Sequence, residues 1–179
     1  DLAEPRSSRL LAGALRGILG RMITRPEFRR GRGLSAVNGY LYHIGLAVIA
    51  FGFLPHILFV ERLTGLAWPS LPGWVVYLAV GPTFVALLLA LLYRTTDPVL
   101  RLLSGFDDYF SWFVVFLPLL TGMAAIDGWS PAAAPGATPI YPGPLAVHLL
   151  SVELLFIWLP FGKLAHAFLA FITRGMTGA

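Results

Sequence analysis

Four long apolar stretches limit what this chain can fold into. They cover residues 38–60, 74–93, 109–126 and 144–172, and charged residues occur only in the last, at Glu153 and Lys163. A helix needs about 20 apolar residues to cross the hydrocarbon core of a bilayer. An open strand at that depth would leave backbone groups unpaired, so each stretch is expected to be helical. We therefore predict an all-α, multi-pass membrane protein built on a four-transmembrane-helix bundle.

The composition agrees with this class and restricts the redox chemistry. Of the 179 residues, 57% are hydrophobic and 12% are charged, whereas soluble domains carry about 25% charged residues. The chain has no cysteine. Disulfides, thiolate-ligated iron–sulfur clusters and covalent c-type haem attachment within the chain are thereby excluded. Any redox centre must use other ligands.

The basic residues predict the orientation of the four spans. Only Arg62 falls on one side of the membrane, and the other side receives every remaining basic residue: Arg6, Arg9, Arg16, Arg21, Arg25, Arg29, Arg30, Arg32, Arg94, Arg101, Lys163 and Arg174. Lys and Arg concentrate in cytoplasmic loops. Both ends are therefore predicted to be cytoplasmic, and because topology explains the net charge of +4, we do not expect nucleic-acid binding.

Residues 1–33 are interpreted as a basic, cytoplasmic-side amphipathic segment that precedes the membrane domain, 34–179. They lack the uninterrupted apolar core of a secretory signal. Apolar pairs at 10/11, 14/15, 18/19 and 22/23 follow helical spacing. Two interpretations fit this pattern: an N-terminal amphipathic interfacial helix on anionic lipid, or a docking surface for a cytoplasmic partner subunit.

All four histidines lie in two of the predicted spans. His43 and His56 are in the first, and His148 and His166 are in the fourth. A single intramembrane histidine is more often a hydrogen-bonded packing residue than a ligand, but four of them divided equally between two helices favour ligation. The first and fourth spans are antiparallel, which predicts an inner pair, His43 with His166, and an outer pair, His56 with His148. Facing helices of a bundle build cofactor sites in this way, and each pair could hold the iron of a planar haem between its imidazoles.

Helical geometry tests the pairing. His148 and His166 are 18 residues apart, which is five whole turns, or about 27 Å along one face of a straight helix. Pro160, which lies between them, allows a bend that re-aims His166. His43 and His56 are roughly 140° apart around a straight helix, so the outer pair requires a bend near residues 52–55, where Gly52 and Pro55 lie. Zinc is the alternative metal, but the pairs are too far apart to share one ion and no carboxylate lies one turn from any of these histidines.

Two further ionisable residues are candidates for function. Glu153 lies deep in the fourth span, where it could relay protons during quinol oxidation or be protonated and hydrogen-bonded between helices. Lys163 could extend to the cytoplasmic interface as an anchor or contact a haem propionate. Asp107 and Asp108, before the third span, are expected in a solvated loop or against a basic surface of a partner.

Two motifs carry a resemblance to a known family. "YLYHIG" (40–45) and "HLLSVELLFIWLPFGKLAH" (148–166) resemble the haem-b membrane (gamma) subunit of respiratory nitrate reductase and related cytochromes b of heterodisulfide-reductase-like and sulfite-reduction-associated complexes. The family pattern places Phe53 where its other outer histidine stands, and His56 follows one turn later. The lysine that the family uses near quinol has no counterpart in residues 66–77.

This resemblance implies a cytochrome b domain with two b-type haems. His43 and His166 would bind the inner one, His148 and the substitute His56 the outer one. The function implied is electron transfer between the quinone pool and iron–sulfur, molybdenum-containing or cytochrome partner subunits in a prokaryotic cytoplasmic (inner) membrane, without substrate catalysis by this chain alone. The alternatives are a non-haem membrane anchor of a larger complex and a small transporter, although no internal repeat of the kind typical of transporters is present.

Overall fold

A computed structural model describes residues 10–20, 22, 26–126 and 142–178. The regular elements in this part of the chain are all helical. They are α1 (Leu10–Gly20), α2 (Pro26–Gly52), α3 (Leu54–Thr64), α4 (Gly73–Thr96), α5 (Pro98–Leu103), α6 (Phe106–Ala125), α7 (Pro142–Trp158), a 3-10 turn (Lys163–Ala165) and α8 (His166–Gly178).

Three helical segments are long and apolar enough to cross a membrane: Gly33–Gly52, Gly73–Thr96 and Phe106–Ala125. A fourth candidate consists of Gly143–Trp158 and Lys163–Thr177, which are bent by 80° relative to each other. The prediction of a helical, multi-pass membrane protein is confirmed. By length and composition, the described part of the chain has three candidate spans, or up to four when the bent pair is counted as one.

Helices α2 and α4 form one closely packed pair. Gly45 on α2 is buried, and a side chain there would overlap Thr83 on α4. About two turns before Gly45 on the same interface, the Asn38 side-chain amide donates to the Ala86 carbonyl at 2.9 Å. A polar group at membrane depth needs such a partner. The glycine permits close backbone approach, and the asparagine fixes the register of the two helices.

The predicted first span, 38–60, is not one continuous helix. Its helix begins earlier, at Pro26, and stops at Gly52, and α3 starts after the extended residue Phe53. Proline lacks an N–H and clashes with the carbonyl four residues before it, which for Pro55 is the Phe51 carbonyl. That carbonyl accepts instead from the Trp68 indole at 2.6 Å. The expected interruption near residues 52–55 is therefore present.

Helices α6 and α7 form the second closely packed pair. Hydroxyl groups connect them: Thr121 on α6 and Ser151 on α7 lie 2.9 Å apart, oxygen to oxygen, and both are buried. Nearer the other end, the Trp158 indole donates to the Ser111 hydroxyl at 3.0 Å. Between the two pairs of helices, the Trp112 indole donates to the Leu87 carbonyl at 2.7 Å and joins α6 to α4.

The predicted fourth span, 144–172, is not one continuous helix, and the bend expected at Pro160 is present. Helix α7 ends at Trp158, and the chain turns through residues 159–162 before the 3-10 turn and α8. Pro160 falls in this turn and cannot donate a helical hydrogen bond. The straight-helix separation predicted for His148 and His166 therefore does not apply.

The N-terminal helix α1 packs along α8. Ile18 and Ala14 would meet a side chain at Gly175, at 3.7 and 3.9 Å from its Cβ. Most leucines of α1 remain exposed, as Leu11, Leu15 and Leu19 illustrate. The predicted helix within residues 8–24 is present at Leu10–Gly20, and α8 covers one side of it.

Candidate functional site

The inner histidine pair is brought together. His43 lies on α2 and His166 is the first residue of α8. Their ring centroids are 6.0 Å apart, with the ring planes at 83°. Both side chains are exposed. The 80° bend places His166 opposite His43, because α8 leaves the direction of α7 at that point.

The outer pair is also brought together. His56 lies in the first turns of α3 and His148 on α7. Their ring centroids are 6.2 Å apart, and the planes are inclined by 21°. The interruption at Phe53 makes this possible, since it turns His56 back so that its Nδ1 lies 3.0 Å from the Ile49 carbonyl oxygen.

Each of the four imidazoles uses Nδ1 for a bond to the protein. The acceptors are backbone carbonyls for three of them, and a carbonyl can only accept, which assigns the proton to Nδ1. The distances are 2.7 Å from His43 to Gly39, 3.0 Å from His56 to Ile49 and 2.6 Å from His166 to Lys163.

The fourth Nδ1 has a hydroxyl partner. His148 Nδ1 lies 3.2 Å from the Thr121 hydroxyl oxygen, which also lies 2.8 Å from the Leu117 carbonyl oxygen and 2.9 Å from the Ser151 hydroxyl oxygen. Histidines that bind metals characteristically donate their second ring N–H to a protein acceptor, which fixes the tautomer and the ring orientation. In all four residues, Nε2 is the nitrogen left to coordinate.

The spacing of the pairs fits a metal held between two imidazoles. Metal–imidazole bonds are about 2 Å long, so two imidazoles on opposite sides of one metal have centroids about 6 Å apart. Rotation about the bond axis changes the angle between the rings without changing that distance. Within the described ranges, no group of three or more His, Cys, Asp or Glu side chains is gathered for a metal. The donor set fits an iron whose remaining ligands come from a porphyrin better than it fits zinc.

The helices that carry each histidine pair are not each other's main packing partners. Helix α2 packs mainly on α4, and α7 packs mainly on α6. The imidazoles therefore meet at the boundary between two helix pairs. A group bound between the rings would therefore not have to separate two closely packed helices.

Small and aromatic residues shape the surroundings of the rings. The Gly122 Cα faces His148, and a Cβ there would lie 3.1 Å from His148 Cε1. Tyr42 stacks on His43 with centroids 4.4 Å apart, and Phe53 contacts His56 edge-on at 5.3 Å. Phe53, the position where the family pattern has histidine, thus contacts His56, the predicted substitute for that histidine.

An ionic network around the buried Asp108 carboxylate lies at the other end of α6. Asp108 is 8% exposed. Its carboxylate oxygens lie 2.7 Å from the Arg94 guanidinium and 2.6 Å from the Lys163 ammonium. The expectation that Asp107 and Asp108 lie in a solvated loop is wrong, since both belong to the first turn of α6. The charge pattern of the sequence did not indicate this network because its members are far apart along the chain.

Lys163 and Glu153, the remaining candidate residues, have different surroundings. The Lys163 ammonium is paired with Asp108. Glu153 is exposed on α7 and lies on the opposite side of that helix from Ser151 and Trp158, the residues that contact α6. The geometry brings Glu153 close to neither histidine pair.

Comparison with known proteins adds a distant relative. The chain is 28% identical over 145 residues to a curated protein of Nitratidesulfovibrio vulgaris (strain Hildenborough) whose recorded name states no activity. The alignment covers 78% of this chain, and the chain spans 58% of the relative's length. No protein-family model matches the sequence. No solved structure matches it.

Proposed function

We propose that this chain is a di-haem cytochrome b membrane subunit. It passes electrons between the membrane quinone pool and partner redox subunits of a respiratory complex, as the resemblance to the nitrate reductase gamma family implies. One observation carries the proposal: two histidine pairs, each contributed by distant parts of the chain, with ring centroids 6.0 and 6.2 Å apart. The two pairs together use all four histidines of the chain, as two haems with two imidazole ligands each would require.

Each histidine has a defined role in this proposal. His43 and His166 hold the inner haem, and His56 and His148 hold the outer one, each through Nε2. When bound, haem supplies one-electron redox chemistry, with a potential set by its axial ligands and surroundings. The Nδ1 acceptors, of which Gly39 and Thr121 are examples, keep the rings oriented and the nitrogens neutral for coordination.

The membrane arrangement follows the distribution of charge. The proposed arrangement has four spans, with Gly143–Trp158 and Lys163–Thr177 counted as one. Under the positive-inside rule, both ends of the chain would then lie in the cytoplasm of a prokaryote. Helix α1 then lies at the cytoplasmic interface beside α8. The iron–sulfur, molybdenum-containing or cytochrome subunits that exchange electrons with the inner haem dock on this side.

Glu153 is our candidate for the quinone or proton step. Its carboxylate is exposed on a face of α7 that also exposes Leu150 and Ile157. An ionisable group among apolar side chains within a membrane span normally marks a functional site. Lys163 stays a candidate for a contact with a haem propionate. In that contact its ammonium group would be shared between the propionate and Asp108.

The test is a dithionite-reduced minus oxidised spectrum of the purified protein, with haem quantification. A b-type α-band and two haems per chain are expected. His166→Ala should remove the inner haem and His148→Ala the outer one, each leaving roughly half of the haem, while membrane insertion persists because the apolar spans are unchanged. A colourless wild-type protein would contradict the proposal and favour the non-haem anchor.

A further inference from the structure

The bend between α7 and α8 is fastened on both sides to the first turns of α6. Upstream of the bend, the Trp158 indole donates to the Ser111 hydroxyl at 3.0 Å. That hydroxyl donates to Asp107 Oδ1, also at 3.0 Å. Downstream, the Lys163 backbone N–H donates to the same Asp107 oxygen at 3.2 Å. One carboxylate therefore holds the residues on either side of the turn.

Asp107 acts on the 3-10 turn as a capping residue does. The first N–H groups of a helix have no partner within that helix, and a side-chain oxygen satisfies them. Gly162, which precedes the turn, has no side chain of its own to offer, and a Cβ there would overlap the Trp158 indole and lie 3.0 Å from Asp107 Oδ1. The cap is supplied from α6, and the glycine keeps that approach open.

Asp108 fixes the side chain of the same lysine. It bonds the Lys163 ammonium at 2.6 Å and the Arg94 guanidinium at 2.7 Å, and it accepts from the Gly105 N–H at 3.0 Å. Arg94 also donates to the Ser104 hydroxyl at 2.9 Å. Lys163 is thereby tied to α4 and α6 through a carboxylate that is almost completely buried.

Lys163 in turn sets the orientation of His166. The His166 Nδ1 lies 2.6 Å from the Lys163 carbonyl oxygen. A shift of Lys163 therefore moves the acceptor that orients this imidazole. The chain of contacts runs from Asp107 and Asp108 through Lys163 to His166.

We infer that Asp107 and Asp108 are positioning residues that hold the α7–α8 bend and thereby aim His166 at its partner across the bundle. The inference rests on the proposed function for its haem readout, although the geometry of the bend can be measured without haem. It gives the "DD" of residues 107–108 a role that neither a solvated loop nor partner contact provides.

The decisive variant is Asp107→Ala, because it removes the acceptor for the Lys163 N–H without leaving a buried cation unpaired. Asp107→Asn retains an acceptor oxygen and should behave like the wild type. Asp97→Ala is the matched control, since Asp97 caps α5 in the same region without touching the bend. Lys163→Met tests the Asp108 branch while preserving the Lys163 carbonyl.

Two readouts distinguish this inference from the proposed function. The chain contains no cysteine, so a spin-label pair introduced at Phe113 on α6 and Ile172 on α8 reports distance across the bend. A second pair, at Phe113 and Phe156, lies before the bend and serves as a control. In Asp107→Ala the first distance distribution should broaden and the second should not change.

In the haem-loaded protein, Asp107→Ala should shift the low-field EPR signal of the inner haem and weaken its retention by about tenfold, the lower range for loss of a residue supporting a metal ligand. The outer-haem signal should stay unchanged. Unchanged label distances together with an unchanged inner-haem signal would overturn the inference. A haem-free wild type would refute the proposed function, and the label distances would still decide whether the aspartates hold the bend.

Discussion

At the scale of single residues, the four histidines share one arrangement although their backbones do not. Three of the rings are oriented by a bond from Nδ1–H to a backbone carbonyl. The carbonyl lies one turn earlier for His43, across a helix interruption for His56, and in a 3-10 turn for His166. Only His148 uses a hydroxyl on another helix, that of Thr121. Its orientation therefore depends on packing between α6 and α7, which makes it sensitive to residues on α6.

Gly122→Ala tests this dependence. The added methyl group would lie 3.1 Å from His148 Cε1, which is tight enough to displace the ring, so we expect about tenfold weaker retention of the outer haem and an altered redox midpoint potential for it. The inner haem should not change. Haem quantification with potentiometric titration measures both effects.

Gly81→Ala is the control for that experiment. Gly81 also lies within a membrane-spanning helix, but a Cβ there meets no atom within 4 Å. If both glycine variants changed the outer haem equally, a general effect of alanine on the helices would explain the result. The prediction that α6 orients His148 would then be wrong.

At the scale of helices, two interruptions position His56 and His166. The first, at Phe53, turns His56 back toward α2, and the second, at residues 159–162, redirects the chain by 80° before His166. Each contains or adjoins a proline, Pro55 or Pro160, that cannot donate a helical hydrogen bond. The carbonyls released at the first interruption are satisfied by the loop after α3: Gly52 accepts from the Leu71 N–H at 2.9 Å.

Pro55→Ala should weaken the first interruption. It restores an N–H that competes with the Trp68 indole for the Phe51 carbonyl and favours a continuous helix. His56 would then rotate away from His148, and we expect selective loss of the outer haem, measured as a fall toward one haem per chain. Pro82→Ala, at an exposed proline inside α4, is the control and should retain both haems.

At the scale of the whole molecule, the charges and the ionic network lie on the same side of the proposed membrane orientation. Arg94, Asp108 and Lys163 form their buried contacts there, close to the inner histidine pair. In the proposed orientation, a partner subunit bound at this side would be closer to His43 and His166 than to the outer pair. The orientation therefore decides which of the two histidine pairs faces the cytoplasmic side.

Single-cysteine labelling in intact cells tests the orientation. Ser70, after α3, should react with a membrane-impermeant maleimide added from outside, because its loop lies on the predicted outer side. Thr96 and Met176, both exposed, should react only after the cytoplasmic membrane is opened. External labelling of Met176 with protection of Ser70 would show the opposite orientation.

The sequence by itself determined the class of the protein and the histidines worth examining. Apolar runs of membrane length require helices because lipid offers no hydrogen-bond partner for the backbone. Pro55 predicted an interruption because proline inside a regular helix kinks or breaks it. Only the tertiary structure decided how the histidine rings meet, that the bend in the fourth apolar run measures 80°, and that Asp108 is buried between Arg94 and Lys163. These features arise from contacts between residues far apart in the chain, which local spacing does not encode.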